Sequence, residues 1–349
     1  MIKYRLGIAG VGFLALAFIV GASLISPDKA AKEDLDLSED LRVSKVLTIL
    51  GDTGKDNLPD TREFGVSANR GETLIKEGFS TKPGGGKTKI QSKHFVCTSC
   101  HNLEKEDPDL TKSDPEARLK YTAEKGLPFL QGTTLYGVVN RETFYNDDYY
   151  LKYGELVDAA RNDIRGAIQL CAVECAQGRK LHDWELESIL AYLWTIDLKL
   201  SDLDFSAEEL DAIYLAIDSE DKQDEAIDLI KSKYLLGSPA HFGSAAESKG
   251  LAPNLIGHPE NGKMVYENSC LHCHQDRRFS YLQLDDEKLT FKHLSKKAEG
   301  YGPHSIFQVS RYGVYSRSGR RSYMPQYPLE KMSDQQLADL KAYIDMRAE

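Results

Sequence analysis

The pentapeptide Cys-x-x-Cys-His occurs twice, at Cys97-Thr98-Ser99-Cys100-His101 and Cys270-Leu271-His272-Cys273-His274, and no other feature constrains the chain as tightly. Two thiols about one helical turn apart reach the two vinyl groups of a haem as thioethers, and the histidine that follows falls beneath the iron. A redox Cys-x-x-Cys or half a zinc site competes for a single motif, but each copy here carries its own histidine. The chain therefore reads as a dihaem c-type cytochrome with two covalently bound haem c groups. Cys97, Cys100, Cys270 and Cys273 are the attachment thiols, and His101 and His274 the proximal iron ligands.

The N-terminus agrees. Lys3 and Arg5 precede Leu6 to Ile25, twenty residues without a charge. Such a run is long enough to span a bilayer, and its basic flank puts the N-terminus inside and the body outside. Haem is attached to c-type apoproteins on the exported side. The protein is thus expected on the periplasmic side of the inner membrane, anchored by residues 1–28, or free in the periplasm if that segment is a cleaved signal peptide. A net charge of −10 argues against nucleic acid as a partner and suits an electron carrier. The expected partners are redox proteins: a soluble cytochrome, an oxidase or a reductase. Outside the motifs only Cys171 and Cys175 remain, so no disulfide framework underlies stability.

The predicted fold is all-α, two tandem cytochrome c-like haem domains after an N-terminal membrane anchor. Residues 29–60 read as a polar tether, 61–200 as the first domain, 201–240 as an acidic helical linker and 241–349 as the second domain. Ser67 to Gly78 has an amphipathic helical pattern, and Trp184 to Leu198 has apolar residues at helical spacing behind Asp183 as N-cap. Near the C-terminus Ser333 caps a run with Leu337, Leu340 and Ile344 on one face. The order over residues 250–349 (short helix from Gly262, Cys270 motif, loop, Met324-Pro325, final helix) is similar to single-haem class I cytochrome c domains. That resemblance implies a small helical unit around the haem with Met324 as distal ligand, a His/Met pair that raises the reduction potential. Met332 competes for the role but fits the start of the last helix better. Arg311, Arg317, Arg320 and Arg321 surround this loop as haem-propionate partners, a docking patch for an acidic redox partner, or a solvated basic face.

The first domain differs. No methionine occurs between Met1 and Met264, so His101 finds none in its own domain. Cys171, Cys175, His182, His94, a lysine or an open site remain. His94 lies three residues before Cys97 and is tied to the proximal side. The two cysteines lie just ahead of the closing helix, where the second copy has Met324, and this position favours a cysteine. Residues four apart on a helix share a face, so either thiol can serve, while a disulfide between them is geometrically marginal. A thiolate ligand would lower the first haem's potential.

Arg70-Gly-Glu-Thr-Leu-Ile-Lys-Glu-Gly, the Gly-rich loop, Phe95-Val-Cys-Thr-Ser-Cys-His, then Cys171, Gly178, Leu181, Glu185 and Tyr192 together resemble the N-terminal domain of thiosulfate dehydrogenases. The resemblance spans about residues 65–200. It implies that Cys171 is the distal thiolate of a catalytic haem, where a small sulfur anion is coupled to tetrathionate, and that the second haem accepts the electrons. Where the family has arginines beside the cysteine, this chain has Ala167 and Glu174, with Arg161, Arg165 and Arg179 nearby. A glutamate beside the iron would repel a dianion. Three readings follow: a membrane-tethered electron carrier, which the dihaem plan and leader suffice for; a thiosulfate dehydrogenase-like enzyme with Cys171 at the reacting centre; and a redox subunit whose partner supplies the substrate site.

Overall fold

The computed structural model describes residues 41–52, 57–243, 255–280, 282–300, 302–314 and 324–349. The apolar leader lies outside these residues, as do Arg317, Arg320 and Arg321. Among the described residues no helix is long and apolar enough to cross a membrane. They form helices α1 (Val43–Ile49), α2 (Ala68–Glu77), α3 (Pro115–Lys125), α4 (Asp147–Tyr153), α5 (Ile164–Leu170), α6 (Asp183–Leu193), α7 (Ala207–Ile217), α8 (Gln223–Lys231), α9 (Pro259–Val265), α10 (Leu271–His274), α11 (Lys288–Glu299), α12 (Ile306–Tyr312) and α13 (Asp334–Ala348). Among the described residues strand pairing is confined to isolated bridges. The all-helical expectation holds.

Two helix pairs are built by the same device. In the first, α2 crosses α6 so closely that a Cβ on Gly71 would lie 1.8 Å from the Ser188 carbonyl oxygen. In the second, α9 crosses α13, and a Cβ on Gly262 would lie 1.9 Å from the Asp339 carbonyl oxygen. Four residues before each glycine, the N-cap backbone N–H donates to the side chain of that same partner residue: Ser67 to Ser188 Oγ at 3.1 Å, His258 to Asp339 Oδ1 at 2.8 Å. Three residues before each partner, a side-chain oxygen caps the closing helix. Glu185 accepts from His182 N–H at 2.9 Å, and Gln336 from Ser333 N–H at 3.0 Å. The N-cap of α6 is therefore His182; Asp183 is its first helical residue, where a carboxylate still favours the helix dipole. Each crossing shields an apolar core, with Leu74, Ile75, Ile189, Leu190 and Leu193 in one and Val265, Tyr266, Phe291, Leu340 and Tyr343 in the other.

The polar tether and acidic linker do not behave as connectors where the structure describes them. Within the first, α1 buries Val43, Val46 and Leu47 and pairs along residues 197–200 through Val43 N–H to Leu198 O at 2.8 Å and Leu200 N–H to Leu41 O at 2.9 Å. In the second, α7 and α8 bury Ile213, Ala216, Ala226 and Ile230. Lys231 ties α8 to Asp52 at 2.6 Å and Glu142 at 2.8 Å. Their acidic composition masked short apolar stripes, because a helix needs only one face to pack.

The glycine crossings carry a direct consequence. Replacing Gly71 or Gly262 by Ala forces a methyl group into a backbone carbonyl, and each change is expected to cost about 3 kcal/mol, the upper end for overpacking. Thermal melts followed by circular dichroism should show a fall of several degrees for each. Gly84, around which a Cβ would meet nothing, serves as the control.

Candidate functional site

A cavity of about 230 Å³ opens between α2, α5 and α6, and Cys97, Cys100 and His101 form part of its wall. His101 donates from Nδ1 to the Thr133 carbonyl oxygen at 2.6 Å. That bond fixes the tautomer and leaves Nε2 with a free lone pair. His274 is held the same way, by the Leu282 carbonyl oxygen at 2.8 Å. Burial pushes both imidazoles toward the neutral form. It also pushes the thiols up, Cys97 and Cys273 to about 11 and Cys270 to about 12, with Cys100 higher still. Two thiols and an imidazole sharing one apolar wall would fit a haem held by thioethers with the histidine on its iron.

The backbone behind His101 is crowded. A Cβ on Gly132 would meet the Cys100 carbonyl oxygen at 2.6 Å and the His101 ring at 2.7 Å, so only glycine admits this approach. Gly132 N–H donates to that carbonyl at 3.0 Å, and three residues earlier Phe129 N–H donates to the Asn268 carbonyl oxygen at 2.9 Å, just ahead of the second motif. Tyr327 Oη donates to Phe129 O at 3.3 Å and accepts from Ser269 Oγ at 2.6 Å. One stretch of chain thus bonds to the first Cys-x-x-Cys-His motif and to the residue two before the second, and three extended residues span at most about 10 Å.

Cys171 and Cys175 both line the cavity. They bound a π-helical turn that continues α5, a feature frequent at functional sites. Gln91 Nε2 donates to Ala172 O at 2.7 Å and Ser92 Oγ to Ala176 O at 2.6 Å, so residues just before the first motif clamp the turn. Cys175 Sγ lies 3.5 Å from Tyr153 Oη. The neighbouring Cys171 thiol, working with Tyr153 against burial, pulls Cys175 down to about 7, while Cys171 is raised well above the ordinary thiol range. His182 is exposed and, like His94, does not line the cavity; both drop out as ligand candidates for the first site.

Other expectations change. Glu174 is exposed and absent from the lining, so it does not repel an anion there. Arg161, Arg165 and Arg179 are engaged with Asp147, Glu187 and Glu185, at 2.7, 2.6 and 2.6 Å, and also stay off the wall. The cations that do line it are Arg141 and Lys152, both shifted below their usual range by burial. Sequence reasoning missed them, and missed Tyr145, Tyr149 and Tyr153, whose spacing of four is itself the signature of one helix face. It also missed that Pro325, Gln326 and Pro328 of the C-terminal half complete the cavity, with Lys152 Nζ donating to Gln326 Oε1 at 2.7 Å. In that half Met324 is partly buried against the core, while Met332 is buried within it. Arg311 is buried and paired with Asp334 at 2.7 Å, which removes it from any exposed basic patch.

The helical unit from α9 to α13 around Cys270–His274 has the make-up of a c-type cytochrome domain. Residues 257–344 match the family of cytochrome c oxidase, cbb3-type, subunit III. This stretch is a cytochrome c domain; such a domain implies covalently bound haem c and an electron-transfer role with redox partner proteins. Comparison with the curated proteins and with the solved structures gave no match.

Between the halves lies a fully buried ion cluster. Glu106 pairs with Lys331 Nζ at 2.8 Å and Arg118 at 3.3 Å, and it accepts from Thr134 N–H at 3.0 Å, next to the carbonyl that holds His101. Burial alone would raise its carboxyl, but Arg118 and Lys331 hold it down to about 2. The stabilisation is therefore complete above about 4.5, its ordinary value, and is lost as pH falls from there toward about 2. Glu106→Gln would leave two cations buried without a counter-charge and should cost about 3–5 kcal/mol. Denaturant melts at neutral and acidic pH check both points: the wild type should lose its advantage over the variant as the pH falls.

Proposed function

We propose that the protein is a dihaem c-type cytochrome that transfers electrons on the exported side of the membrane, the first haem ligated by His101 and Cys171 and the second by His274 and Met324. The observation that carries this reading is the repeated cradle: two Cys-x-x-Cys-His segments, each with its histidine Nδ1–H held by a backbone carbonyl, each beside a glycine-locked helix crossing. When bound, the haems supply one-electron iron chemistry. The protein's part is to set the ligands and exclude water. Thr133 and Leu282 orient the two imidazoles. Apolar residues of α2, α5 and α6 enclose the first cavity, and Arg141 and Lys152 on its wall would be available to haem propionates or another anion. The Phe129–Gly132 stretch, hydrogen-bonded at both ends, supports the view that the two haems lie close enough to exchange electrons quickly. Residues 1–28 would anchor the protein to the inner membrane, and a soluble cytochrome, an oxidase or a reductase would exchange electrons with it.

A second reading has one specific support. Two thiols, three tyrosines and two cations share the first cavity, which suits a small sulfur anion and a thiosulfate dehydrogenase-like reaction. Purified holoprotein should contain two haems per chain by pyridine haemochrome analysis and titrate in two separate steps, the lower belonging to the first haem. Met324→Ala should lower only the higher potential and abolish the methionine charge-transfer band. Cys171→Ala should change only the low-spin signal of the first haem. Steady formation of tetrathionate from thiosulfate, lost in Cys171→Ala, would establish the enzyme; reversible reduction without turnover would establish the carrier.

A further inference from the structure

Charge is spread unevenly around the first motif. Between Glu77 and Glu104 the sequence has Lys82, Lys87, Lys89 and Lys93 and no carboxylate, in a chain whose net charge is −10. The first three lysines sit on an arm that leaves α2 at Gly78, turns at Gly85 and Gly86, and returns to Gln91. Its limbs are tied by Lys82 N–H to Gly86 O at 2.8 Å, Thr88 N–H to Ser80 O at 2.8 Å and Gln91 N–H to Gly78 O at 2.7 Å. All four lysines are exposed, and among the described residues none of them joins an ion pair; Lys87 Nζ lies instead 3.3 Å from the centre of the Phe79 ring. A Cβ on Gly84, Gly85 or Gly86 would meet nothing, so the tip stands in open space. The root is fixed. Gln91, Phe95 and Val96 line the first cavity, and Arg179 holds the returning limb by its guanidinium to Lys89 O at 3.0 Å and its N–H to Gln91 O at 2.9 Å. Two apolar side chains remain uncovered here: Ile90, 49% exposed, and Phe64, 77% exposed, next to the Gly65 that packs on Pro83 of the tip.

We propose that this arm is the surface on which an acidic redox protein docks to exchange electrons with the first haem. The inference rests on the reading that Cys97, Cys100 and His101 carry a haem. Unpaired ammonium groups attract an acidic surface across about a Debye length, ~10 Å at 0.1 M salt, and orient it before contact. Ile90 and Phe64 supply apolar contact once water is expelled, with the lysines as the polar rim. A partner seated on the arm stands over the wall of the first cavity, where the electron has a short way to travel. A lipid surface held by the same lysines would make no use of that position. A second copy of the chain would offer its acidic α7 and α8, a face that carries no Cys-x-x-Cys-His motif.

The test uses the full-length holoprotein, with reduced flavodoxin as the acidic redox protein and stopped-flow absorbance as the readout. Lys82→Glu/Lys89→Glu should slow the bimolecular reaction by on the order of tenfold at low salt, and the gap should close at high salt. Lys296→Glu/Lys297→Glu, an equal change of charge at exposed positions of α11, should leave the rate near that of the wild type. Carbodiimide cross-links between flavodoxin carboxylates and the wild type should map to Lys82, Lys87, Lys89 or Lys93. An unmoved rate in the arm variant, an equal slowing by both variants, or cross-links confined to other lysines overturns the proposal. Sedimentation with phosphatidylglycerol vesicles that the arm variant loses, its flavodoxin rate unchanged, assigns the arm to a lipid surface and overturns it. A low-salt dimer that the arm variant loses, again with the rate unchanged, assigns it to a second copy and does the same. Pyridine haemochrome analysis separates the underlying reading: a single haem, on the second motif alone, removes the first haem and the proposal together.

Discussion

The short run from Phe129 to Thr133 is the constraint on which both sites depend. Its backbone bonds to Asn268 at one end and Cys100 at the other, and its Thr133 carbonyl aims the His101 imidazole. Around it, the main polar groups are tied. Arg118 donates to Leu130 O at 2.5 Å and to Lys331 O at 3.0 Å, Glu106 gathers Arg118, Lys331 and Thr134, and Tyr327 locks Ser269 to Phe129 O. The polar groups are buried and almost wholly satisfied, the condition under which a polar network specifies one geometry instead of costing stability. Leu119 and Phe129, although early in the chain, belong to the same apolar cluster as Phe291 and Leu340. The two halves share a core.

The parts readable from the sequence are those whose chemistry is local. A Cys-x-x-Cys-His motif declares itself within five residues, and α2, α6 and α13 have repeated apolar positions and a glycine or capping oxygen at an end. The rest depends on partners far away in the chain. α1 hides its apolar face within a charged stretch, because Val43, Val46 and Leu47 are buried only where the chain bonds to residues 198–200 and meets α8. The acidic run that reads as a solvated connector instead packs because Ile213 and Ile230 have something to face. Arg141 and Lys152 carry no local signal at all: only the fold shows that they, and not Arg161, Arg165 or Arg179, reach the first cavity.

The glycine crossings show how such a design tolerates variety. Gly71 is followed by 25 residues before Cys97, and Gly262 by only seven before Cys270, yet the two helix pairs keep the same N-cap bond, the same close carbonyl and a capping side-chain oxygen at the same position. The geometry is carried by a few contacts between the first and last helices, so the chain between them is free to lengthen. In the first half that freedom accommodates α3, which reaches across to the second, and α4, which brings the tyrosines.

The loop from Pro325 to Pro328 follows directly on Met324 and closes a cavity belonging to the other half, with Gln326 fastened to Lys152. The first site is therefore not the property of the first half. A fragment ending before the C-terminal unit would keep its attachment cysteines and histidine but would have an open wall where the prolines sit. Whatever enters the first cavity meets a wall that the second half helps to supply. The spectra of two separated halves would not add up to that of the whole.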